Sequence, residues 1–134
     1  MILIADLSPC KIEFEPRTQT LMITSRPVDY ITDEEIKEIT QYIAEQIRFY
    51  RPTYYLADNR LRTYAYLPHM QKWVAETLGS ACIAAGVKKF AVVQPQDLIV
   101  QLSNEQTAEE LPNIPFKYRF FEDLESAKRW LQIT

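Results

Sequence analysis

The end of the chain places a strand and a helix so close together that they constrain the whole fold. Residues 116–121 alternate aromatic and charged side chains, the period of two that is typical of a half-buried strand. Asp123 can then cap a short helix, one side of which is lined by Leu124, Ala127, Trp130 and Leu131. Because the connecting turn is so short, we expect this helix to lie back across its own sheet.

The rest of the chain alternates strands and helices in the same way. It predicts a hairpin (11–15 and 20–24), a helix begun by the capping-box residues Thr32 and Glu35 and ended by Pro52, a strand (53–57), a helix from Pro68 to Gly86, a strand (87–93) and a helix capped by Asp97. With the final strand and helix, the order is ββαβαβαβα. Helical crossovers imply parallel pairing, so we predict an α/β fold with a mixed, mainly parallel sheet and an antiparallel N-terminal hairpin.

The core of this sheet can be predicted from the same patterns. We expect residues 90–93 to form the central strand, with the helices that begin at Thr32 and Pro68 packed on it. The testable set of buried residues is Ile39, Ile43, Trp73, Phe90, Val92 and Trp130.

Composition excludes several classes of protein. The content of 47% hydrophobic and 25% charged residues is that of a globular protein, and we expect residues 1–134 to form one domain. A net charge of −3 argues against nucleic-acid binding, which requires clustered positive charge. No apolar run is long enough for a transmembrane segment, and residues 1–5 lack the pattern of a signal peptide. We therefore expect a cytoplasmic protein.

Catalytic signals are sparse. Cys10 and Cys82 lack metal-ligand or redox spacing, and His69 is the one histidine and has no flanking carboxylate. The two glycines cannot form a Gly-rich phosphate loop. We accordingly predict no catalytic residue, no metal site and no cofactor.

Several short segments resemble a known superfamily. They are Asp58-Asn59-Arg60 after the inner strand, Pro68 with Gln71 and Trp73 at the next helix, residues 86–89, residues 102–106, and Phe121-Glu122-Asp123 with Ala127 and Trp130-Leu131. Together with the order of elements, they resemble the STAS superfamily and, more closely, the SpoIIAA-like (STAS/Sec14-type) small single-domain proteins of bacteria. The resemblance implies a STAS-like domain over the whole chain, in a group whose function is unassigned.

The resemblance also implies a mechanism of regulation. In the anti-sigma-factor antagonists of this superfamily, a serine or threonine after a strand is phosphorylated, and the added charge switches partner binding. The corresponding loop of this chain lacks the usual Asp-Ser-Ser/Thr-Gly pattern, and Thr63 is its only aliphatic hydroxyl. Thr63 is therefore the phosphoacceptor that the resemblance offers.

The same loop is the best candidate site on physical grounds, because ligands bind outside the carboxyl ends of parallel strands. We predict a ligand or partner surface formed by Asp58, Asn59, Arg60, Arg62, Thr63, Tyr64 and His69. Two interpretations remain open. Asp58 and Arg60 could simply brace the loop, or the arginines could bind an anionic ligand or partner bidentately.

Three functions from different classes fit these observations. The first is a non-catalytic regulatory or interaction domain with a polar surface around residues 58–69, acting on an unknown protein partner. The second, implied by the Sec14-type resemblance, is a carrier or sensor of a lipid or other small apolar ligand, which needs an internal cavity. The third is an enzyme of unknown class. A homodimer is also expected, because the hairpin leaves an unpaired edge strand.

Overall fold

A six-stranded sheet organises the structure, a computed structural model that describes residues 1–111 and 113–134. The strands are β1 (Ile2–Asp6), β2 (Cys10–Glu15), β3 (Thr20–Ser25), β4 (Tyr54–Asp58), β5 (Lys89–Val93) and β6 (Lys117–Phe121). The helices are α1 (Asp33–Tyr50), α2 (Pro68–Ala85), α3 (Leu98–Glu109) and α4 (Leu124–Leu131). Pro112, part of the connector predicted between α3 and β6, lies outside the described residues.

The strands pair in the order in which they occur in the chain. β1, β2 and β3 are antiparallel neighbours, whereas β3, β4, β5 and β6 pair in parallel through helical crossovers. This confirms the predicted mixed sheet with its N-terminal hairpin. The strand expected to be central, β5, lies between β4 and β6, so it is an inner strand one place from the β6 edge.

Strand β1 is absent from the predicted order. Residues 2–5 form a short continuous apolar run, and without alternation such a run indicates a strand no better than a buried helical segment. Its pairing with β2 shifts register between Leu3 and Ala5. The expectation that an arm of the hairpin forms the edge was therefore wrong, since β1 covers β2 and is itself the edge strand.

Both faces of the inner strands are covered. Tyr55, Ala57, Phe90 and Val92 belong to the cluster that packs under α1 and α2, whereas Leu56, Ala91 and Val93 pack against Ala127 and Leu131 of α4. The final helix thus lies across its own sheet, as predicted, on the side opposite α1 and α2. Of the residues expected in the core, Ile43, Phe90 and Val92 are buried and Ile39, Trp73 and Trp130 are partly buried.

Local signals fix the ends of the helices. Thr32 and Glu35 form the predicted capping box at α1, and Asp97 and Asp123 cap α3 and α4 through their side-chain oxygens. Gly86 ends α2 with φ of 78°, a left-handed conformation that glycine adopts at little cost. Within the described residues, none of these helices has the length and apolar character needed to cross a membrane.

The capping box gives a direct test of how α1 begins. Thr32→Ala removes the acceptor for the Glu35 backbone N–H, and we expect the free energy of unfolding to fall by about 1 kcal/mol. Thr32→Ser keeps the hydroxyl and should retain nearly all of the stability. Urea denaturation of the three proteins measures the difference, and equal losses in both variants would show that the hydroxyl is not the stabilising group.

Candidate functional site

The connecting loop, residues 59–67, leaves the carboxyl end of β4 and runs to the first residue of α2. It therefore lies at the carboxyl ends of the parallel strands, where the ligand surface was predicted. The structure does not gather the predicted residues into one surface. They separate into an ion pair, two anchors of the loop, an inward-facing arginine with Tyr64 beside it, and a histidine that contacts α1.

Asp58 and Arg60 form the ion pair. The Arg60 guanidinium donates from Nε to Asp58 Oδ1 (2.9 Å) and from Nη2 to Oδ2 (2.7 Å), and the Arg60 backbone N–H also donates to Oδ1 (3.2 Å). The hydrogen bond to Asp58 raises the pKa of Arg60. Because Asp58 is only 7% exposed and holds the first turn of the loop, this geometry is that of a brace.

Asn59 and Thr63 anchor the loop to its neighbours. The buried Asn59 accepts a hydrogen bond from Ser25 Oγ (2.9 Å), and its backbone N–H donates to Val93 O (2.9 Å). The exposed Thr63 donates its hydroxyl to Val28 O (2.7 Å) and accepts from Val28 N (3.1 Å). The role of Thr63 as a phosphoacceptor stays a prediction.

His69 lies apart from the arginines. Its Nε2 is 2.6 Å from Asp33 Oδ2, and both side chains are more than half exposed. The contact joins the first turns of α2 and α1. His69 therefore lies between two helices, away from Arg60 and Arg62.

Arg62 points inward, between two tyrosine rings. Its guanidinium carbon lies 5.0 Å from the ring centre of Tyr64 and 4.8 Å from that of Tyr66, within the range of cation–π attraction. Nη1 donates to Asn104 Oδ1 at 3.3 Å, whereas the buried Nε has no hydrogen-bond partner among the described residues. Burial opposes the charge of Arg62, but its interactions with Tyr64 and Tyr66 raise its pKa, so that it stays protonated.

Two small cavities of about 40 and 60 Å³ adjoin this arginine. The residues that line both are Tyr55, Ala57, Asn59, Arg62, Tyr66 and Leu78. Asn104 and Tyr118 complete the wall of the larger one. Burial raises the pKa of Tyr55 and of Tyr118, so these phenols are neutral at physiological pH.

We call Arg62, Tyr55, Tyr64, Tyr66, Asn104 and Tyr118 the arginine–tyrosine cluster. The sequence analysis included Arg62 and Tyr64 but did not assign the other four to the site. They come from β4, the connecting loop, α3 and β6, so no local spacing unites them. No signal in the sequence marked Asn104, which is one of several polar residues of α3.

The first half of helix α3 exposes three apolar side chains and buries two polar ones. Leu98, Ile99 and Leu102 are 76%, 74% and 53% exposed, whereas Ser103 and Asn104 are buried. Ser103 Oγ accepts from the Tyr66 backbone N–H (2.7 Å), and Asn104 Nδ2 donates to Gln94 Oε1 (2.6 Å). Ser103 and Asn104 therefore bind the connecting loop and Gln94, whereas Leu98, Ile99 and Leu102 face solvent together with Glu105 and Glu109.

Across residues 1–111 and 113–134, no three His, Cys, Asp or Glu side chains cluster in a way that could hold a metal ion. Cys10 and Cys82 are buried and unpaired by disulfides.

Comparisons with known proteins agree with the fold. A family model described as SpoIIAA-like matches residues 22–132. Among solved structures, an uncharacterized protein from the DUF3478 family with a SpoIIAA-like fold, from Shewanella loihica, matches with a TM-score of 0.58 and 19% identity over 95% of this chain and 97% of that chain. At that identity the likeness shows the fold alone. No curated protein matches the chain.

The brace interpretation of Asp58 and Arg60 can be tested by stability. Asp58→Ala leaves the Arg60 backbone N–H unpaired, and we expect it to lower the free energy of unfolding by about 1–3 kcal/mol. Arg60→Ala should cost less, about 1 kcal/mol, because its side chain is half exposed. Arg17→Ala, at an exposed arginine in the hairpin turn, is the control and should change stability by under about 0.5 kcal/mol. Thermal melts in which neither loop variant differs from the control would contradict the brace.

The two thiols give a prediction on pH dependence. Burial raises the pKa of Cys10, although Arg62 and Arg26 oppose this, and burial raises the pKa of Cys82 to about 12. Since both pKa values lie above that of an unfolded cysteine, the native state favours the protonated thiols, and this stability is lost as the pH rises above about 8.5. We expect Ellman's reagent at pH 8 to label neither cysteine in the native protein and both in urea. Rapid labelling of the native protein would contradict it.

Proposed function

The chain belongs to the SpoIIAA-like family, and we propose that residues 1–134 form one such domain that acts, without catalysis, by binding a partner protein at the surface made by the connecting loop and α3. SpoIIAA-like domains are of the STAS type, which are often regulatory or interaction domains and generally non-catalytic. The observation that carries the proposal is the outward apolar side of α3.

This apolar side is unfavourable in an isolated molecule. Leu98, Ile99 and Leu102 leave most of their surface in water, and burying an aliphatic side chain is worth about 1.5–3 kcal/mol. The helix cannot turn them inward, because Ser103 and Asn104 hold its other side against the connecting loop and Gln94. A partner that covers this side would recover the lost burial, which is why exposed apolar patches mark interaction sites.

The connecting loop, which binds the other side of α3, carries further exposed apolar side chains. Leu61 and Leu67 of the connecting loop are each 59% exposed, and Leu67 directly follows Tyr66, which binds Ser103 of α3. Arg60 lies half exposed in this loop and would contribute to a polar rim. An apolar centre with a polar rim that contains arginine is the usual anatomy of a protein interface.

A carrier of lipid has less support. Ligand sites for molecules of that size occupy about 300–1,000 Å³, whereas three cavities lined mainly by core residues measure about 40, 30 and 60 Å³. Two larger hollows, of about 420 and 520 Å³, are open depressions of the surface. The interior is therefore packed too densely for an acyl chain, and the interaction function is favoured.

The cell compartment and the oligomeric state complete the proposal. We propose a cytoplasmic location, with which the two free, buried cysteines are consistent. A homodimer stays a prediction. The edge strand β1, with Ile2 and Leu3 exposed, is the place where a second copy could add a strand.

A pair of photo-crosslinking variants tests the partner surface. A benzophenone amino acid replaces Ile99, which is 74% exposed on α3, or Phe49, which is 76% exposed on α1. The two positions are matched in exposure. Phe49, however, lies near the C-terminus of α1, at the amino ends of the parallel strands, whereas the connecting loop lies at their carboxyl ends. In the native host we expect a discrete protein adduct from the Ile99 variant and none from the Phe49 variant.

A second variant connects the adduct to the surface. Leu98→Glu should abolish the crosslink from position 99 while changing the melting temperature little, because Leu98 is 76% exposed. Adducts that are the same at both positions, or that contain only lipid, would contradict a protein partner at this surface.

A further inference from the structure

Arg62 is partly buried, and the buried part of its guanidinium lacks partners. A guanidinium carries five N–H donors and no acceptor. Within the described part of the chain, it makes a long hydrogen bond to Asn104 and interacts with the Tyr66 side chain, and its buried Nε has no partner. No described carboxylate forms an ion pair with it, whereas Arg60, two residues earlier, has Asp58.

This shortage is costly for the folded protein. A buried charge is ordinarily paired, and leaving it uncompensated destabilises a protein strongly. The rings of Tyr64 and Tyr66 attract the cation through their π electrons, but they carry no negative charge. The arginine–tyrosine cluster thus retains one positive charge that nothing in it neutralises.

Space lies beside the uncompensated charge. The cavities of about 40 and 60 Å³ both touch Arg62, and roughly 10–15 Å³ is enough for one water molecule, so each can hold a small solute. Polar groups of Asn59, Tyr55 and Tyr66 line both cavities beside apolar Leu78. We propose that Arg62 binds the carboxylate group of a small organic acid in this space.

The chemistry of the wall favours a carboxylate over a phosphate. One guanidinium neutralises one negative charge, and its planar fork matches two carboxylate oxygens. The neighbouring tyrosines are neutral donors, and the cluster contains no second cation that would balance a phosphate dianion. Leu78 and Val92 in the wall of the larger cavity would contact the short carbon chain of the acid.

The site goes beyond the proposed interaction function and connects to it. Arg62 belongs to the connecting loop, and its hydrogen-bond partner Asn104 belongs to α3. A bound acid that accepts hydrogen bonds from Arg62 would therefore lie where the connecting loop meets α3, the two elements of the partner surface. The protein would then report the level of a small acid to its partner.

Thermal melts at constant ionic strength test this site. Sodium formate, acetate, propionate or phosphate replaces sodium chloride, with acetamide as the uncharged analogue of acetate. Because a ligand that binds only the native state raises the melting temperature, we expect a concentration-dependent rise with the carboxylates alone. The rise should persist in Arg60→Met and vanish in Arg62→Met. Arg62→Met should also melt no lower than the wild type in chloride, because it removes an uncompensated charge.

Several outcomes would overturn the proposal. They are the absence of any rise with the carboxylates, an equal rise in Arg62→Met, or a rise with phosphate alone. If Arg62→Met does not fold, nuclear Overhauser effects between ¹³C-labelled acetate and the ring protons of Tyr66 and Tyr118 in the wild type decide the question. Their presence supports the site and their absence refutes it. Neither result depends on the crosslinks at position 99, so the two proposals fail separately.

Discussion

Burial of β4 and β5 on both faces is the constraint on which the rest of the structure depends. One face of these strands packs under α1 and α2 and the other against α4, so the side chains of residues 55–57 and 90–93 are all apolar or aromatic. Polar side chains follow at once at the carboxyl ends, with Asp58 and Gln94. The loop brace and the amide contacts of α3 lie at these carboxyl ends, where the burial of both faces of the sheet stops.

Features that depend on neighbouring residues could be predicted from the sequence. The capping box at Thr32, the caps at Asp97 and Asp123 and the left-handed end at Gly86 are each set within a few residues, and all were confirmed. Strand β1 was missed because only its pairing with β2 distinguishes a short apolar run from other structures. The family model and the solved relative agree with the predicted fold.

The candidate site could be predicted only as a stretch of chain. The sequence indicated a loop that the structure places at the carboxyl end of β4, but it gave equal weight to Arg60 and Arg62. Arg62 turns inward to the ring of Tyr66, four residues away, and to Asn104, 42 residues away in the sequence. Such long-range choices leave no periodic trace in one sequence.

The way in which α3 is attached has a consequence for motion. Val100 is its one fully buried apolar residue, and amide and hydroxyl hydrogen bonds from Ser103, Asn104 and Gln106 provide most of its attachment. Water can replace such bonds at small net cost, whereas it cannot replace the apolar contacts that hold α1 and α2. Helix α3 is therefore the unit that opens first in local unfolding, and its backbone amides should exchange hydrogen long before those of the sheet.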